Sequence, residues 1–288
     1  MSDPIFRLTR TGDEPELRAI WAAAYDGDTA CADLYFSRCY RPGDGVAAEL
    51  DGKLCSAIYL MDGITLTGFE GRSQSAVYLY ALGTPEKYRG LGLGGRTIWR
   101  SGAEGYLRGN DAVCFLPASQ SLSRWYGDIL GTKACFFRRT GTVQVGDQPT
   151  KGRISPLSAA DYNVRREQLL AGHPHAKLPE EMVELQRQFC ALYGGGLYEL
   201  ELDGKTAICA WDREGDVLTL RELLCPELDP TDSAQLLLTE QKGSSAEVRT
   251  PAFWHEGFGA VNGDCVWIPG GQRFPKSTEP PFWGIALD

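Results

Sequence analysis

The chain has 288 residues, enough for two domains at ~150 residues each. Apolar residues make up 43% and charged residues 23%, which excludes a disordered, collagen-like or coiled-coil chain. With 29 Lys and Arg against 38 Asp and Glu the formal charge is −9, the wrong sign for a general nucleic-acid or anionic-membrane binder. The acid is uneven: 16 basic residues face 17 acidic ones up to Pro149, and 13 face 21 beyond it. Nine cysteines, scattered singly without a CxxC pair, read as reduced and mostly buried thiols. No apolar run approaches ~18 residues, so no membrane-spanning helix is expected. Residues 1–10 lack a basic segment followed by an apolar one, so no signal peptide is expected. These features point to a cytoplasmic protein.

Residues 5–8 can form a short first strand. Residues 15–25 predict a helix, with Pro15 near its start and Leu17, Ile20, Trp21 and Ala24 at helical spacing. Residues 29–40 predict a second helix. Residues 46–50 and 54–60 are apolar runs joined by Asp51-Gly52, a dipeptide that accepts positive φ, and so predict a hairpin. A strand over 75–82, rich in Val, Tyr and Leu, leads into a glycine-rich loop and a helix over 93–106. Residues 112–116 predict a buried strand, Ser119 opens another helix, and residues 132–145 supply the last strand or hairpin of this half. Gly146 to Gly152 then reads as a linker. The expected domains are 1–145 and 152–288.

Helical patterns return over 158–170 and 179–193. Glu201-Leu-Asp-Gly-Lys205 then repeats Glu49-Leu-Asp-Gly-Lys53 letter for letter, again between two strand-like runs. Each copy is followed by another strand and a proline, Pro85 or Pro226. A shared pentapeptide within a shared order of elements predicts two copies of one α/β unit.

The loop Tyr88-Arg-Gly-Leu-Gly-Leu-Gly-Gly95 stands between a strand and a helix. Glycines there let backbone N–H groups converge, and the helix N-terminus adds about half a positive charge. Such a nest suits a pyrophosphate, with Arg89 at hand for a charge-assisted contact. Gly90-x-Gly92-x-x-Gly95 also fits the dinucleotide fingerprint, with Asp111 downstream. That motif should open directly off the first strand of a βαβ unit, and this loop follows a hairpin. No Lys-Ser or Lys-Thr follows the glycines, which excludes a Walker loop. The plainest alternative is a helix start with permissive glycines and no ligand.

The stretch from Tyr78 through Pro85 to Arg89-x-x-Gly92-x-Gly94 resembles the central motif of the Gcn5-related N-acetyltransferase superfamily, with one residue more than usual between Pro85 and Arg89. The resemblance continues through Ala112-Val-Cys-Phe-Leu-Pro-Ala-Ser119 and Leu122-Ser-Arg-Trp-Tyr126, fits less well at Ile129-Leu-Gly-Thr132, and covers about residues 5–139. The two-unit chain looks most like the tandem acetyltransferases of that superfamily. It implies an α/β fold: a mixed, mostly antiparallel sheet flanked by helices, with a second, degenerate unit of the same kind. It implies N-acetyl transfer from acetyl-CoA to a primary amine by direct attack. The backbone of Ala81, Leu82 and Gly83 would then bond the pantetheine arm like an added strand. The amides of Arg89, Gly90, Leu91, Gly92, Leu93 and Gly94 would hold the pyrophosphate. Tyr126 matches the position of the acid that returns a proton to the departing thiolate; a plain core tyrosine carries equal weight.

The general base is less legible. Glu70 and Glu49 are candidates, each also readable as a surface charge, and a water chain would serve as well. The apolar run 282–288 suits a packed terminus whose carboxylate could enter an active site. His173-Pro-His175 lacks a third nearby ligand, so no metal is expected, and Cys114 reads as inert core. The second half has no Arg-x-x-Gly-x-Gly; Glu227, Asp229 and Asp232 precede or open its corresponding helix, which Thr231 or Asp232 could cap. One acyl-CoA site per chain follows. The acidic second half favours a cationic small-molecule or peptide amine. The competing class is a non-catalytic acyl-CoA- or ligand-binding tandem protein, and a dinucleotide-binding oxidoreductase is more remote.

Overall fold

The computed structural model describes residues 3–25, 27, 29–148, 150–271 and 273–287. Its first half runs β1 (Ile5–Leu8), α1 (Glu14–Ala24), α2 (Ala30–Arg38), β2 (Gly45–Leu50), β3 (Lys53–Thr67), β4 (Gln74–Gly83), α3 (Leu93–Leu107), β5 (Ala112–Phe115), α4 (Gln120–Leu130), β6 (Lys133–Ala134) and β7 (Phe137–Gln144). The second runs β8 (Arg153–Pro156), α5 (Ala159–Leu169), β9 (His175–Lys177), α6 (Glu180–Leu192), β10 (Gly196–Leu202), β11 (Lys205–Glu214), β12 (Val217–Leu224), α7 (Pro230–Gln241), β13 (Ser245–Pro251), β14 (Ala260–Gly263) and β15 (Val266–Trp267). The expected elements are present with ends shifted by a few residues, save that β3 runs to Thr67, seven residues past its expected end. Pro149, in the expected linker, lies outside the described residues.

The repeated pentapeptide folds identically in both copies. Asp51 and Gly52 take φ of 50° and 76°, and Asp203 and Gly204 take 48° and 75°. Two consecutive positive φ values give the tight turn whose twist matches that of the flanking strands. The hairpins β2–β3 and β10–β11 are both antiparallel.

Two sheets result, with matching strand orders. One reads β1-β2-β3-β4-β5-β15-β6, with β9 as an eighth strand paired to β3 off this path, and the other reads β8-β10-β11-β12-β13-β7-β14. In each, a run of antiparallel strands gives way to one parallel pair, Ala76↔Ala112 to Tyr78↔Cys114 in the first and Val217↔Ser245 to Leu220↔Val248 in the second. The fold is thus mixed α/β with a largely antiparallel sheet in each unit, as the resemblance implies.

The division of the chain differs from a simple cut at residue 145. The first compact unit comprises Met1–Thr65, Gln74–Lys133 and Cys265–Phe274; the second comprises Leu66–Ser73, Ala134–Asp264 and Pro275–Asp288. β7, which follows directly on the first half, pairs with β13 from Ser245↔Gln144 to Pro251↔Arg138 and with β14 on its other side. β15, made near the end of the chain, pairs with β5 through Val266↔Phe115 and Trp267↔Cys114. In each sheet, then, the strand beside the parallel pair comes from the other half. Alternation along residues 132–145 says that they are strand, but strand pairing is non-local and the residues carry no address for one sheet.

In the first unit, α1 and α2 bury Trp21, Tyr35 and Phe36 against Tyr59 of β3 and Tyr80 of β4, with ring centroids 5.0–6.0 Å apart. Such offset and edge-on pairs add about 0.5–1.5 kcal/mol each beyond burial. The second unit encloses a charged pair instead. Arg166 and Glu222 have wholly buried side chains, and Arg166 Nε lies 3.1 Å from both carboxylate oxygens. Tyr162 donates to Glu222 at 2.9 Å, and the guanidinium donates to the carbonyls of Ala176 (2.9 Å) and Trp283 (2.8 Å). With these bonds made, neither buried charge is left uncompensated.

The segment 282–287 is buried within this unit, its Leu287 N–H donating to Gln186. It packs as the apolar run predicts, and Asp288 lies outside the described residues. No helix among the described residues is long and apolar enough to cross a membrane.

Candidate active site

In the first sheet the parallel pairing ends at Tyr78↔Cys114, while β4 continues to Gly83 and β5 stops at Phe115. Ala81 has φ of +54°, an uncommon conformation for a side-chain-bearing residue, which buckles β4 just past that point. Leu79 to Gly83 therefore have no ladder partner in β5, which leaves an opening where an extended chain could add beside β4.

Two side chains fix the end of the opening. Tyr25 donates to the Leu82 carbonyl (3.2 Å), and Ser56 donates to the Gly83 carbonyl (3.1 Å) while lying 2.9 Å from the Thr84 hydroxyl. Of the three residues expected to bond a pantetheine arm, Leu82 and Gly83 thus have their carbonyls held from within, and Ala81 supplies the buckle.

Beyond β4, Pro85 leads into one turn of 3-10 helix, Glu86–Tyr88, and then the glycine loop. Gly92 is the N-cap of α3 with φ of +70°, and Gly90 has φ of +80°. No side chain caps α3, and its first turn holds no acid. The first amides of a helix need partners from outside when no cap supplies them. A Cβ built at Gly90 or Gly92 would meet nothing within 4 Å, so the space before the helix is open. Arg89 is exposed, with Nε donating to the Thr84 carbonyl at 3.1 Å. The amides, the helix dipole and this cation together suit a diphosphate.

The corresponding helix of the second unit is built oppositely. Asp229 caps α7, accepting from Thr231 N–H at 2.7 Å, Pro230 occupies the first turn, and Asp232 adds another acid there. The cap is Asp229, where the sequence suggests Thr231 or Asp232. Asp-Pro is the favoured order at a helix start, because proline at the first position lacks only an N–H that would be orphaned anyway.

Tyr126 lies on α4, which Ser119 caps by accepting from Leu122 N–H. Its ring is buried edge-on against Phe115 at the end of β5, 4.7 Å between centroids. Burial pushes its hydroxyl up to about 12. Tyr25 is 39% exposed, and Tyr126 lies close enough to its hydroxyl to interact with it electrostatically. The structure thus brings Tyr126, Tyr25 and the Leu82 carbonyl to one end of the opening. Tyr25 escaped the sequence reading, since its role depends on a contact 57 positions away.

The other candidates stand elsewhere. Glu49 accepts from Arg7 at 2.8 Å and lies 3.7 Å from Arg10, in an ion-pair cluster on β2. Glu70 belongs to the second unit, its N–H bonded to the Lys276 carbonyl. Asp111 accepts from the Ser75 N–H and hydroxyl, and the glycine loop follows the fourth strand of a mostly antiparallel sheet. This topology overturns the dinucleotide-fingerprint reading. His175 is buried between the His173 carbonyl and Glu167, and His173 stacks on Phe253 beside Glu279. Cys114 is buried in mid-strand.

No family model matches the sequence, and no curated protein matches it. Solved structures do match. A GCN5-related N-acetyltransferase from Anabaena variabilis aligns at a TM-score of 0.66 and 11% identity, over 92% of this chain and 72% of that one. Eis1 from Mycobacterium abscessus aligns at 0.59 and 13% identity, over 92% and 73%. A putative acetyltransferase from Pyrococcus horikoshii aligns at 0.57 and 12% identity, over the whole of this chain and 95% of that one. At such identities the likeness defines a fold: the chain has the fold of the Gcn5-related N-acetyltransferases.

Proposed function

We propose that this chain transfers an acetyl group from acetyl-CoA to a primary amine. The observation that carries the reading is the uncapped, acid-free start of α3 beside a β4 that runs past its last pairing with β5. The amides of residues 89–94 and the Arg89 side chain hold the diphosphate, and β4 from Ala81 to Gly83 holds the pantetheine arm as an added strand. The amine attacks the thioester carbonyl, and Tyr126 donates a proton to the departing sulfur. With its hydroxyl at about 12, Tyr126 stays protonated across the working range and acts as an acid. The acidic second half favours a cationic acceptor.

Calorimetric titration tests the binding step. Gly92→Val should weaken acetyl-CoA at least tenfold, or ~1.4 kcal/mol, without unfolding the chain. The valine would force a β-branched residue into positive φ and fill the space before the helix. Unchanged affinity would sink the assignment. The same titration should saturate at one equivalent per chain, because Asp229 already takes an α7 amide and Glu227 and Asp232 repel phosphate. Two equivalents would overturn that expectation. Release of CoA thiol with a library of amines separates the enzyme from a non-catalytic binder.

A further inference from the structure

A chain that adds to a strand needs that strand's carbonyls on the docking edge, and on β4 one of them is already covered. In an extended strand successive carbonyls point to opposite edges. Ser56 of β3 takes the Gly83 carbonyl, so the Leu82 carbonyl faces the other edge, past the end of β5. There the Tyr25 hydroxyl donates to it at 3.2 Å. Such a bond is long beside the usual ~2.5–3.0 Å of an O–H donor, and is easily exchanged. Tyr25 also has room to move. It stands one residue past the end of α1, with φ −124° and ψ 47°, its ring exposed on one side and 5.6 Å from Trp21 on the other. Tyr126 comes to the same place from α4, near enough to act electrostatically on the Tyr25 hydroxyl.

We infer that Tyr25 is a positioning residue that responds to the acyl donor: its hydroxyl covers the Leu82 carbonyl until a pantetheine amide displaces it onto the Tyr126 oxygen. The inference rests on the proposed acetyl-CoA site. An arm added to β4 brings its amide N–H to about 2.9 Å from the carbonyl it bonds, the place that the Tyr25 hydroxyl holds. Once displaced, that hydroxyl has the Tyr126 oxygen beside it. When Tyr126 gives its proton to the departing sulfur, its oxygen is left negative, and Tyr25 donates to the phenolate while keeping its own proton. This charge-assisted bond is stronger than the neutral one it replaces. Tyr126 is thus aligned and supported as an acid only when the arm is seated.

Tyr25→Phe should move binding and turnover in opposite directions. By calorimetry on the full chain, the variant should bind acetyl-CoA about threefold more tightly, because no hydroxyl has to be displaced. ADP has the diphosphate but no pantetheine amide, and should bind both proteins alike. CoA-thiol release with an amine from the library should show kcat lowered by about tenfold. In the Tyr126→Phe background the same substitution should cost no further turnover, yet still tighten acetyl-CoA. A residue that merely packs would weaken binding and turnover together. The ring and its contact with Trp21 are kept, so the melting temperature should hold. Unchanged or weaker acetyl-CoA binding in Tyr25→Phe, a like gain for ADP, or a turnover loss that adds to that of Tyr126→Phe overturns the inference and leaves the acetyl-CoA site standing. An intact chain that binds no acetyl-CoA, or acetylates no amine, overturns the proposed function and this inference with it.

Discussion

Neither residues 1–145 nor residues 152–288 should fold when produced alone. The first fragment lacks β15, which leaves the β5 edge bare at Cys114 and Phe115, and it carries β7 with no strand to pair with. The second fragment loses β7 from between β13 and β14, so the seven-residue pairing Ser245↔Gln144 to Pro251↔Arg138 disappears and Ala246 and Val248 lose a flank. Bare hydrophobic edges template aggregation. Each fragment should be insoluble or lack a cooperative melt, whereas co-expression should restore a soluble pair. A soluble, monomeric fragment 1–145 with a sharp melting transition would show that the exchanged strands are dispensable.

Tyr126→Phe should lower turnover by about 10²-fold, at the low end for general acid catalysis, with acetyl-CoA affinity nearly unchanged. The substitution keeps the ring edge-on to Phe115 and removes only the hydroxyl. The raised hydroxyl makes a second demand. A group held at about 12 remains a proton donor from neutral pH to well above 10, so turnover should show no basic fall attributable to this residue below about pH 11. Unaltered turnover in the variant would return Tyr126 to the core. An activity loss centred near pH 10 would instead mean an unperturbed phenol.

What could be read in the residues and what could not divide along the range of the interactions. The Asp51-Gly52 and Asp203-Gly204 turns, the glycine loop and the order of elements are local, set by φ preference and periodicity, and they were legible. The buckle at Ala81 was not, because an alanine carries no signal for positive φ; the surrounding strands impose it. The hydrogen bond from Tyr25 to Leu82 depends on how the end of α1 packs on β4, which no short window encodes. The Asp229 cap is the exception. Its signal is local, an Asp-Pro pair at the helix start, so it is present in the sequence.

The exchange of strands also sets a clock on synthesis. β5 is complete when residue 115 leaves the ribosome, yet its neighbour β15 begins at residue 266. At roughly 5–20 residues per second, that interval lasts on the order of 8–30 s. Throughout it the nascent first sheet waits with an open edge, although local strand pairing can form within microseconds. The order in which the ribosome delivers the halves therefore cannot be the order in which they are finished: both sheets close late. A nascent-chain holdase that shields strand edges should matter more to the yield of this protein than to that of a two-domain chain whose first sheet is sequence-contiguous.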